Sequence, residues 1–196
     1  DYISKFGYNA TVGTSEEPIW AESGVAYTYP STAQTMTLSC ANANDTSAGT
    51  GVRSVYVEGL DANYAVVSET KATNGQTAVT LTNQYLRVYR CYAVTAGSGG
   101  KNAGIIYIGY GSVTTGKPAT VQASIAAGAN QTLQALYTVP AGKTGYITDI
   151  GISSNGKGEI RLYARQPNAL FRVQRNIVIT NTVDRTFSIA LRYPEK

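Results

Sequence analysis

The chain has 196 residues, which is long enough for one domain with a hydrophobic core or for two small domains that share an interface. Charged residues make up 14% and apolar residues 43% of the sequence, a balance that excludes a disordered tail and a coiled coil. The lack of histidine excludes Ser-His-Asp and Cys-His nucleophile systems and every histidine-ligated metal site. Apolar runs of only a few residues indicate that no segment spans a membrane.

The net charge of +4 is distributed unevenly along the sequence. Residues 1–30 carry one basic and four acidic groups, whereas residues 141–196 carry nine basic and four acidic groups. Such an asymmetry favours head-to-tail association, or association of one segment with a neighbouring molecule. Nucleic acid is disfavoured as a partner, because the basic residues alternate with apolar ones and form no dense run.

Residues 1–33 are predicted to form an extended N-terminal arm. This segment lacks regular alternation of apolar and polar residues, yet it is rich in aromatic side chains, among them Phe6, Tyr8, Trp20, Tyr27 and Tyr29. Because burial of aromatic side chains is favourable, we expect the arm to dock, either on its own domain or on a neighbouring subunit. We also expect the rest of the chain to stay folded when residues 1–30 are deleted.

From residue 34 onward, hydrophobicity repeats with a period of two, as is typical of β-strands. Glycine, asparagine and proline separate the alternating segments at regular spacing. The pattern predicts an all-β, antiparallel, jelly-roll-like β-sandwich over residues 34–196, or alternatively two small β units that divide near residues 115–120. The predicted strands lie near residues 34–40, 52–58, 64–70, 77–82, 84–95, 104–110, 120–125, 132–139, 144–153, 159–165, 171–179 and 185–193.

Some residues interrupt this alternation or favour turns. Arg90 and Arg175 each occupy a position of their predicted strand where the alternation expects an apolar side chain. We therefore expect a β-bulge or strand break near Arg175, and a bulge or a polar neighbour beside Arg90. Asn74-Gly75 and Asn155-Gly156 favour the positive backbone angles of tight hairpin turns.

The two cysteines have two interpretations. Cys40 and Cys91 are either two small buried hydrophobic side chains or the partners of a single disulfide bridge. Their spacing in the sequence leaves both interpretations open.

The carboxylates give little support for an enzyme. A glycosidase needs two carboxylates across a cleft, and the candidates that are close in sequence are Asp45, Glu58, Asp61 and Glu69. However, Asp45 lies in an Asn-rich stretch that suits an Asx turn, Asp61 suits a turn, and Glu69 falls on a solvent-facing parity. We therefore expect a non-enzymatic protein without catalytic residues, metal ligands or cofactors.

Fifteen tyrosines and a low charge content indicate a surface suited to contact with other molecules. Tyrosine and arginine are enriched at protein interfaces and among the residues that dominate binding energy. A polar face on the predicted C-terminal strands adds a second contact patch to the arm, formed by Arg161, Tyr163, Arg165, Arg172 and Gln174. The same side chains could also stack on sugars, or form an ordinary solvated strand face.

Several turn and strand signatures between residues 3 and 150 are distinctive. They include Lys5-Phe6-Gly7-Tyr8-Asn9, Val57-Glu58-Gly59-Leu60-Asp61, and the stretches 45–53 and 135–146. Together they resemble virion structural proteins of marine tailed bacteriophages. No catalytic motif is among them.

The resemblance implies a structural component of the virion, with decoration or cement of the head favoured over a place in the tail. The partners it implies are the major capsid protein or other virion proteins, together with further copies of the chain in a homo-oligomer. The alternative is a β-sandwich module of a tail fibre or spike that binds a host glycan. Neither alternative involves a membrane.

Overall fold

The computed structural model describes residues 3–166, 169–180 and 183–193, with the backbone alone over residues 183–190. The prediction of an all-β fold is confirmed, because the elements of the described residues are eleven strands, and every strand pairing is antiparallel. No helix in this part of the chain is long and apolar enough to cross a membrane. The chain divides into two compact units, Asp1–Thr138 (unit 1) and Val139–Lys196 (unit 2).

Unit 1 is a β-sandwich of seven strands in two sheets. One sheet has the strand order β4-β1-β6-β7, and the other has the order β3-β2-β5. The two sheets confirm the predicted β-sandwich. They do not confirm the jelly-roll topology, because a jelly roll has eight strands in two sheets. The strands are β1 (Gln34–Cys40), β2 (Val52–Leu60), β3 (Val66–Ala72), β4 (Val79–Tyr85), β5 (Arg87–Ala96), β6 (Ile106–Thr114) and β7 (Lys117–Ile125).

The inner faces of both sheets bury one hydrophobic core. Met36 and Leu38 of β1 and Val55 and Val57 of β2 are fully buried in it, as the period-two alternation predicts. Cys40 and Cys91 belong to the same core as free thiols, which removes the disulfide alternative.

The two buried thiols predict a loss of stability at alkaline pH. Burial raises the pKa of Cys40 from 9.0 to about 12 and also raises the pKa of Cys91. The thiols ionise near pH 9 in the unfolded chain but stay protonated in the folded chain at this pH. Their contribution to the free energy of unfolding is therefore complete below pH 9 and is lost as pH rises above it. Each thiol lowers the free energy of unfolding by about 1.4 kcal/mol per pH unit in this range.

Urea denaturation at several pH values between 8 and 10.5 measures this slope. The Cys91→Ala variant is expected to lose stability less steeply than the parent above pH 9, by about 1.4 kcal/mol per pH unit. Comparing the two slopes cancels the titrating groups that do not interact with Cys91. Parallel slopes would show that Cys91 ionises as easily in the folded chain as in the unfolded chain.

Asp45 organises the loop between β1 and β2. Its side chain is fully buried, and its Oδ1 accepts hydrogen bonds from the N–H groups of Val52 at 2.8 Å and Ala103 at 2.9 Å. Its Oδ2 accepts a third from Gly104 at 2.8 Å. A Cβ atom at Gly51 would lie 2.2 Å from Asp45 Oδ1, so this close approach requires glycine. The buried carboxylate therefore joins two loops through backbone donors.

The N-terminal arm docks on unit 1 of its own chain. Trp20 is 1% exposed and packs against Tyr107 and Val121. Gln122 of β7 clamps the arm, because its Oε1 accepts from the Tyr27 hydroxyl and its Nε2 donates to the carbonyl of Thr28, both at 2.9 Å. Of the two docking modes left open by the sequence, the structure has the one within the chain.

Two acidic residues of the arm are bound inside unit 1. Glu22 forms a 2.7 Å ion pair with Lys117. Glu17 accepts from the N–H groups of Gly13 and Gly24, and these bonds are the main reason why its pKa is lowered. The acidity of the arm therefore serves its own fold, which weakens the argument for head-to-tail association through these carboxylates.

The division of the chain differs from the one expected near residues 115–120. Thr115 and Gly116 have φ angles of 49° and 78° and form the tight turn between β6 and β7. A Cβ atom at Gly116 would lie 2.0 Å from the carbonyl oxygen of Cys40, so this turn needs glycine for space as well as for its backbone angle. The predicted strand at 132–139 is wrong. Thr132 instead bonds the edge of β5 through its N–H and the carbonyl of Cys91.

Unit 2 consists of two antiparallel strand pairs, β8 with β11 and β9 with β10. The predicted bulge is confirmed, because the β9–β10 register shifts between Val173 and Arg175. The apolar side chains described as buried in this unit are Ile152 and Ile179. Its strands are β8 (Gly145–Ser154), β9 (Gly158–Ala164), β10 (Arg172–Ile179) and β11 (Val183–Tyr193).

The two predicted asparagine-glycine hairpins are wrong. Asn74-Gly75 forms a turn with the expected positive φ at Gly75, but it connects β3 and β4, which belong to different sheets. Asn155-Gly156 connects β8 and β9, which pair with other strands, and Gly156 lacks the expected positive φ. Turn chemistry sets the local backbone at Gly75 alone, and the pairing of the flanking strands depends on the rest of the sheet.

Candidate functional site

A group of tyrosine and charged side chains covers the outer face of the β3-β2-β5 sheet. Its members form a continuous series of contacts that runs across β2 and β5 to the segment that follows β7. We call it the tyrosine surface, and it comprises Tyr56, Glu58, Tyr89, Arg90, Tyr92 and Tyr137.

Strand alternation and one bulge place these side chains together. Val57 of β2 and Cys91 of β5 point into the core, so their neighbours along each strand point outward. The pairing sets Tyr56 opposite Tyr92 and Glu58 opposite Arg90. The register then shifts, so both features that the sequence offered as alternatives at Arg90, a bulge and a polar neighbour, are present.

Gly59 allows β5 to approach β2 closely beside the bulge. A Cβ atom at this position would lie 2.0 Å from the carbonyl oxygen of Arg87. The bulge leaves Tyr89 as the extra residue of β5, next to the Glu58–Arg90 pair. The glycine therefore sets the geometry of the tyrosine surface from within the sheet.

Aromatic contacts and one carboxylate hold the tyrosine surface together. The Tyr56 hydroxyl donates to Glu58 Oε2 at 2.9 Å, and the rings of Tyr56 and Tyr92 lie 4.8 Å apart at 31°. The Arg90 guanidinium lies 5.4 Å from the centre of the Tyr92 ring. Tyr89 and Tyr137 meet edge to face at 5.2 Å. The result is a pre-ordered surface with hydroxyl, carboxylate and guanidinium groups.

The ionisation of the tyrosine surface suits hydrogen bonding at neutral pH. Burial and the neighbouring Glu58 carboxylate raise the pKa of Tyr89 and of Tyr137, so both hydroxyls stay protonated. Lys5 of the arm donates to the Tyr89 carbonyl and lies 5.7 Å from the centre of its ring. Burial lowers the pKa of Lys5 to about 8, so this group titrates at the margin of the surface in mildly alkaline solution.

The five predicted contact residues of the arm separate into two groups. Trp20, Tyr27 and Tyr29 form an inner aromatic row, with edge-to-face contacts of 5.3 Å and 4.7 Å. Trp20 thus belongs to the core of unit 1, where it is unavailable to a partner. Phe6 and Tyr8 are 65% and 51% exposed, so their side chains are accessible to a partner.

The predicted C-terminal patch does not form a single face. Arg161 and Tyr163 lie on one face of β9, and Arg161 is bonded to Glu159 at 2.9 Å. The bulge sets Arg172 opposite Ala164, which belongs to the other face. Arg165 lies outside the strand, with its guanidinium 4.4 Å from the centre of the Phe171 ring. The sequence pattern alone placed Arg172 and Arg161 together because it did not include the effect of the bulge.

The other carboxylates named as candidates occupy structural positions. Asp61 accepts from the N–H groups of Asn63 and Ala65 and forms the predicted turn. Glu69 does not face solvent freely: its carboxylate accepts from the N–H groups of Thr82 and Asn83, both at 2.8 Å. Burial opposes ionisation of Glu69, but these bonds outweigh it and lower its pKa. Glu69 thereby links strands of the two sheets.

A shallow cavity of about 380 Å³ also lies on unit 1. None of its lining residues is aromatic or basic, so it offers no ring for a sugar to stack on. It is lined by Ala33, Asp61, Ala62, Val67, Thr82, Asn83 and Gln84.

Comparison of the chain with protein-family models, with curated proteins and with solved structures finds no match. The function proposed below therefore depends on the chemistry of the surface and on the resemblance noted in the sequence.

Sequence reasoning missed the tyrosine surface. Tyr56 and Glu58 are two residues apart and therefore lie on one face of their strand, and the same holds for Arg90 and Tyr92. The sequence thus indicates each half of the tyrosine surface separately. What the sequence does not show is that β2 pairs with β5 in the register that brings the halves together.

Proposed function

We propose that the protein is a non-enzymatic structural component of a bacteriophage virion that stabilises or decorates the capsid through protein–protein contacts. Its partners are the major capsid protein or other virion proteins, and further copies of the chain. The observation that carries the proposal is the tyrosine surface, with the exposed Phe6 and Tyr8 of the arm as additional contacts. The resemblance to virion structural proteins supplies the biological setting.

The physical chemistry of the tyrosine surface suits protein contact. Tyrosine buries a large apolar area and still forms hydrogen bonds, and it loses little conformational freedom on binding. Here the rings are already ordered by Glu58 and Arg90, so less entropy is lost when a partner binds. A standard interface buries about 1,600 Å² in total, and many copies on one particle add avidity.

The contacts of Tyr92 favour a protein partner over a glycan. A sugar binds an aromatic platform by stacking on a ring face. Tyr56 and Arg90 already pack on the Tyr92 ring, so a stacked sugar would have to compete with the protein's own side chains. Hydroxyl groups and ring edges remain for a partner, and these groups are used at protein interfaces.

Binding to particles that lack the protein tests this proposal. The double variant Tyr56→Ala/Tyr92→Ala is expected to bind at least tenfold more weakly than the parent, since each hot-spot truncation costs about 1–2 kcal/mol. Val66→Ala is the matched control, because Val66 is 53% exposed at the edge of the same sheet. Circular dichroism checks that both variants remain folded.

Undiminished particle binding by the double variant would reject the tyrosine surface as the contact site. Competition by a host polysaccharide, with loss of that competition in the double variant, would favour the tail-fibre or spike alternative.

A further inference from the structure

The chain contains two Asn-Gly pairs, and the structure places them in opposite environments. In such a pair the glycine nitrogen can attack the asparagine side chain, because glycine has no Cβ atom to block the approach. The pairs are Asn74-Gly75 in unit 1 and Asn155-Gly156 in unit 2. Both asparagines are exposed, so neither the sequence nor the accessibility of the side chain distinguishes them.

The nitrogen of Gly75 is held in place by the body of unit 1. Gly75 is buried, its N–H donates to the carbonyl of Asp45 at 2.8 Å, and its own carbonyl accepts from the N–H of Cys40 at 2.9 Å. A Cβ atom at Gly75 would lie 3.2 Å from Ala43 Cα, so the backbone is closely packed there. Rotation of this nitrogen toward the side chain of Asn74 would therefore break hydrogen bonds inside the fold.

Within the described part of the chain, the nitrogen of Gly156 has no comparable constraint. Its N–H donates to the hydroxyl of Ser154 at 3.2 Å, and the same hydroxyl donates to its carbonyl at 3.0 Å. Both bonds thus depend on one side chain that can rotate away. A Cβ atom added at Gly156 or at Gly158 would meet no described atom within 4 Å. The pair lies between β8 and β9, outside both strands, so it can move without breaking a strand pairing.

We propose that Asn155 is a site of spontaneous deamidation and that the fold protects the chemically equivalent Asn74. In the first step the Gly156 nitrogen loses its proton and attacks Cγ of Asn155, and the side-chain nitrogen leaves as ammonia. Water then opens the resulting succinimide ring at either of its carbonyl carbons, which gives aspartate or isoaspartate. The net reaction consumes water and releases ammonia, with no change of oxidation state. It does not depend on the proposed function.

The product changes the charge of unit 2 without disrupting its strands. A new carboxylate joins the four acidic groups of residues 139–196. Isoaspartate also lengthens the backbone by an atom, but β8 pairs with β11 and β9 pairs with β10, so the altered connection closes no hairpin. The modified chain is therefore expected to keep its fold.

Peptide mapping of the full chain during incubation in mildly alkaline buffer tests the proposal. Trypsin releases the two pairs in separate peptides, residues 72–87 and 144–157, and mass spectrometry with fragmentation follows the conversion of each asparagine. We expect Asn155 to convert at least tenfold faster than Asn74, because the barrier at Asn74 includes the breaking of backbone hydrogen bonds. In urea, where the fold is absent, the two rates are expected to agree within about threefold.

Two substitutions identify the reacting groups. Asn155→Gln should abolish conversion in the peptide 144–157 on the same time scale and leave that of Asn74 unchanged. Gly156→Ala should slow conversion of Asn155 by about fivefold or more, because its methyl group lies beside the attacking nitrogen. The fold tolerates this methyl group, since no described atom lies within 4 Å of it. Circular dichroism checks that both variants keep the fold of the parent.

Three results would overturn the proposal. Equal rates at the two asparagines of the folded chain, or faster conversion of Asn74, would show that the hydrogen bonds of Gly75 give no protection. A rate difference that persists unchanged in urea would show that neighbouring side chains, and not the fold, set the rates. Conversion of the Gly156→Ala variant at the parent rate would show that Asn155 is hydrolysed directly, without attack by the next nitrogen.

Discussion

Replacing Asp45 with alanine is expected to lower the free energy of unfolding by about 4 kcal/mol. The substitution leaves three N–H donors without their acceptor, those of Val52, Ala103 and Gly104. Each buried unsatisfied donor costs about 1–3 kcal/mol. Because Val52 begins β2 and the other two donors lie in the loop before β6, the loss should loosen both places. Urea denaturation followed by far-ultraviolet circular dichroism measures the change.

Two further variants separate this effect from general perturbation. Asp45→Asn keeps Oδ1 as the acceptor for Val52 and Ala103 but presents an amide donor to Gly104, so its loss should be smaller than that of alanine. Asp61→Ala removes an acceptor from a turn that is not fully buried and should cost about 1 kcal/mol or less. If Asp45→Ala proved as mild as Asp61→Ala, the buried carboxylate would have no special structural role.

Replacing Trp20 with alanine is expected to destabilise unit 1 by about 3–5 kcal/mol, as large aromatic truncations in cores do. Trp20 is 1% exposed, contacts Tyr27 at 5.3 Å between ring centres, and donates from Nε1 to the Val25 carbonyl at 3.0 Å. The substitution empties a space under the arm and exposes Tyr107 and Val121. Thermal and urea denaturation both report the loss.

Phe6→Ala is the matched control within the same arm. Phe6 is largely exposed, so its removal should change the free energy of unfolding by about 0.5 kcal/mol or less. Equal effects of the two substitutions would contradict the docking of the arm around Trp20. This contrast also revises the expectation that residues 1–30 can be deleted without harm to the body, because the arm carries part of the core of unit 1.

Local signals in the sequence were sufficient for much of the fold. The period-two alternation placed most strands, since residues such as Val55 and Val57 must face a core for their burial to be favourable. The parity of Arg175 predicted its bulge, and the aromatic content of the arm predicted that it would dock. Each of these inferences depends on residues that are close in sequence.

Features that depend on distant pairing could not be predicted in this way. The Asn74-Gly75 turn has its expected backbone angle, but the sheet to which each flanking strand belongs is decided by contacts elsewhere. The tyrosine surface requires β2 and β5 to pair with Tyr56 opposite Tyr92. Arg172 lies on the opposite strand face from the predicted one, because a single extra residue in β10 reverses the alternation of side chains beyond it.

A side-chain-resolution reconstruction of the virion to which we propose that the chain belongs is the most direct test of the proposed contact role. We expect density for a neighbouring capsid or virion protein over the tyrosine surface, with Tyr56, Tyr92 and the exposed Phe6 buried beneath it. A reconstruction in which the chain is present while these three side chains all face solvent would contradict the proposal, and so would purified particles that lack the chain altogether.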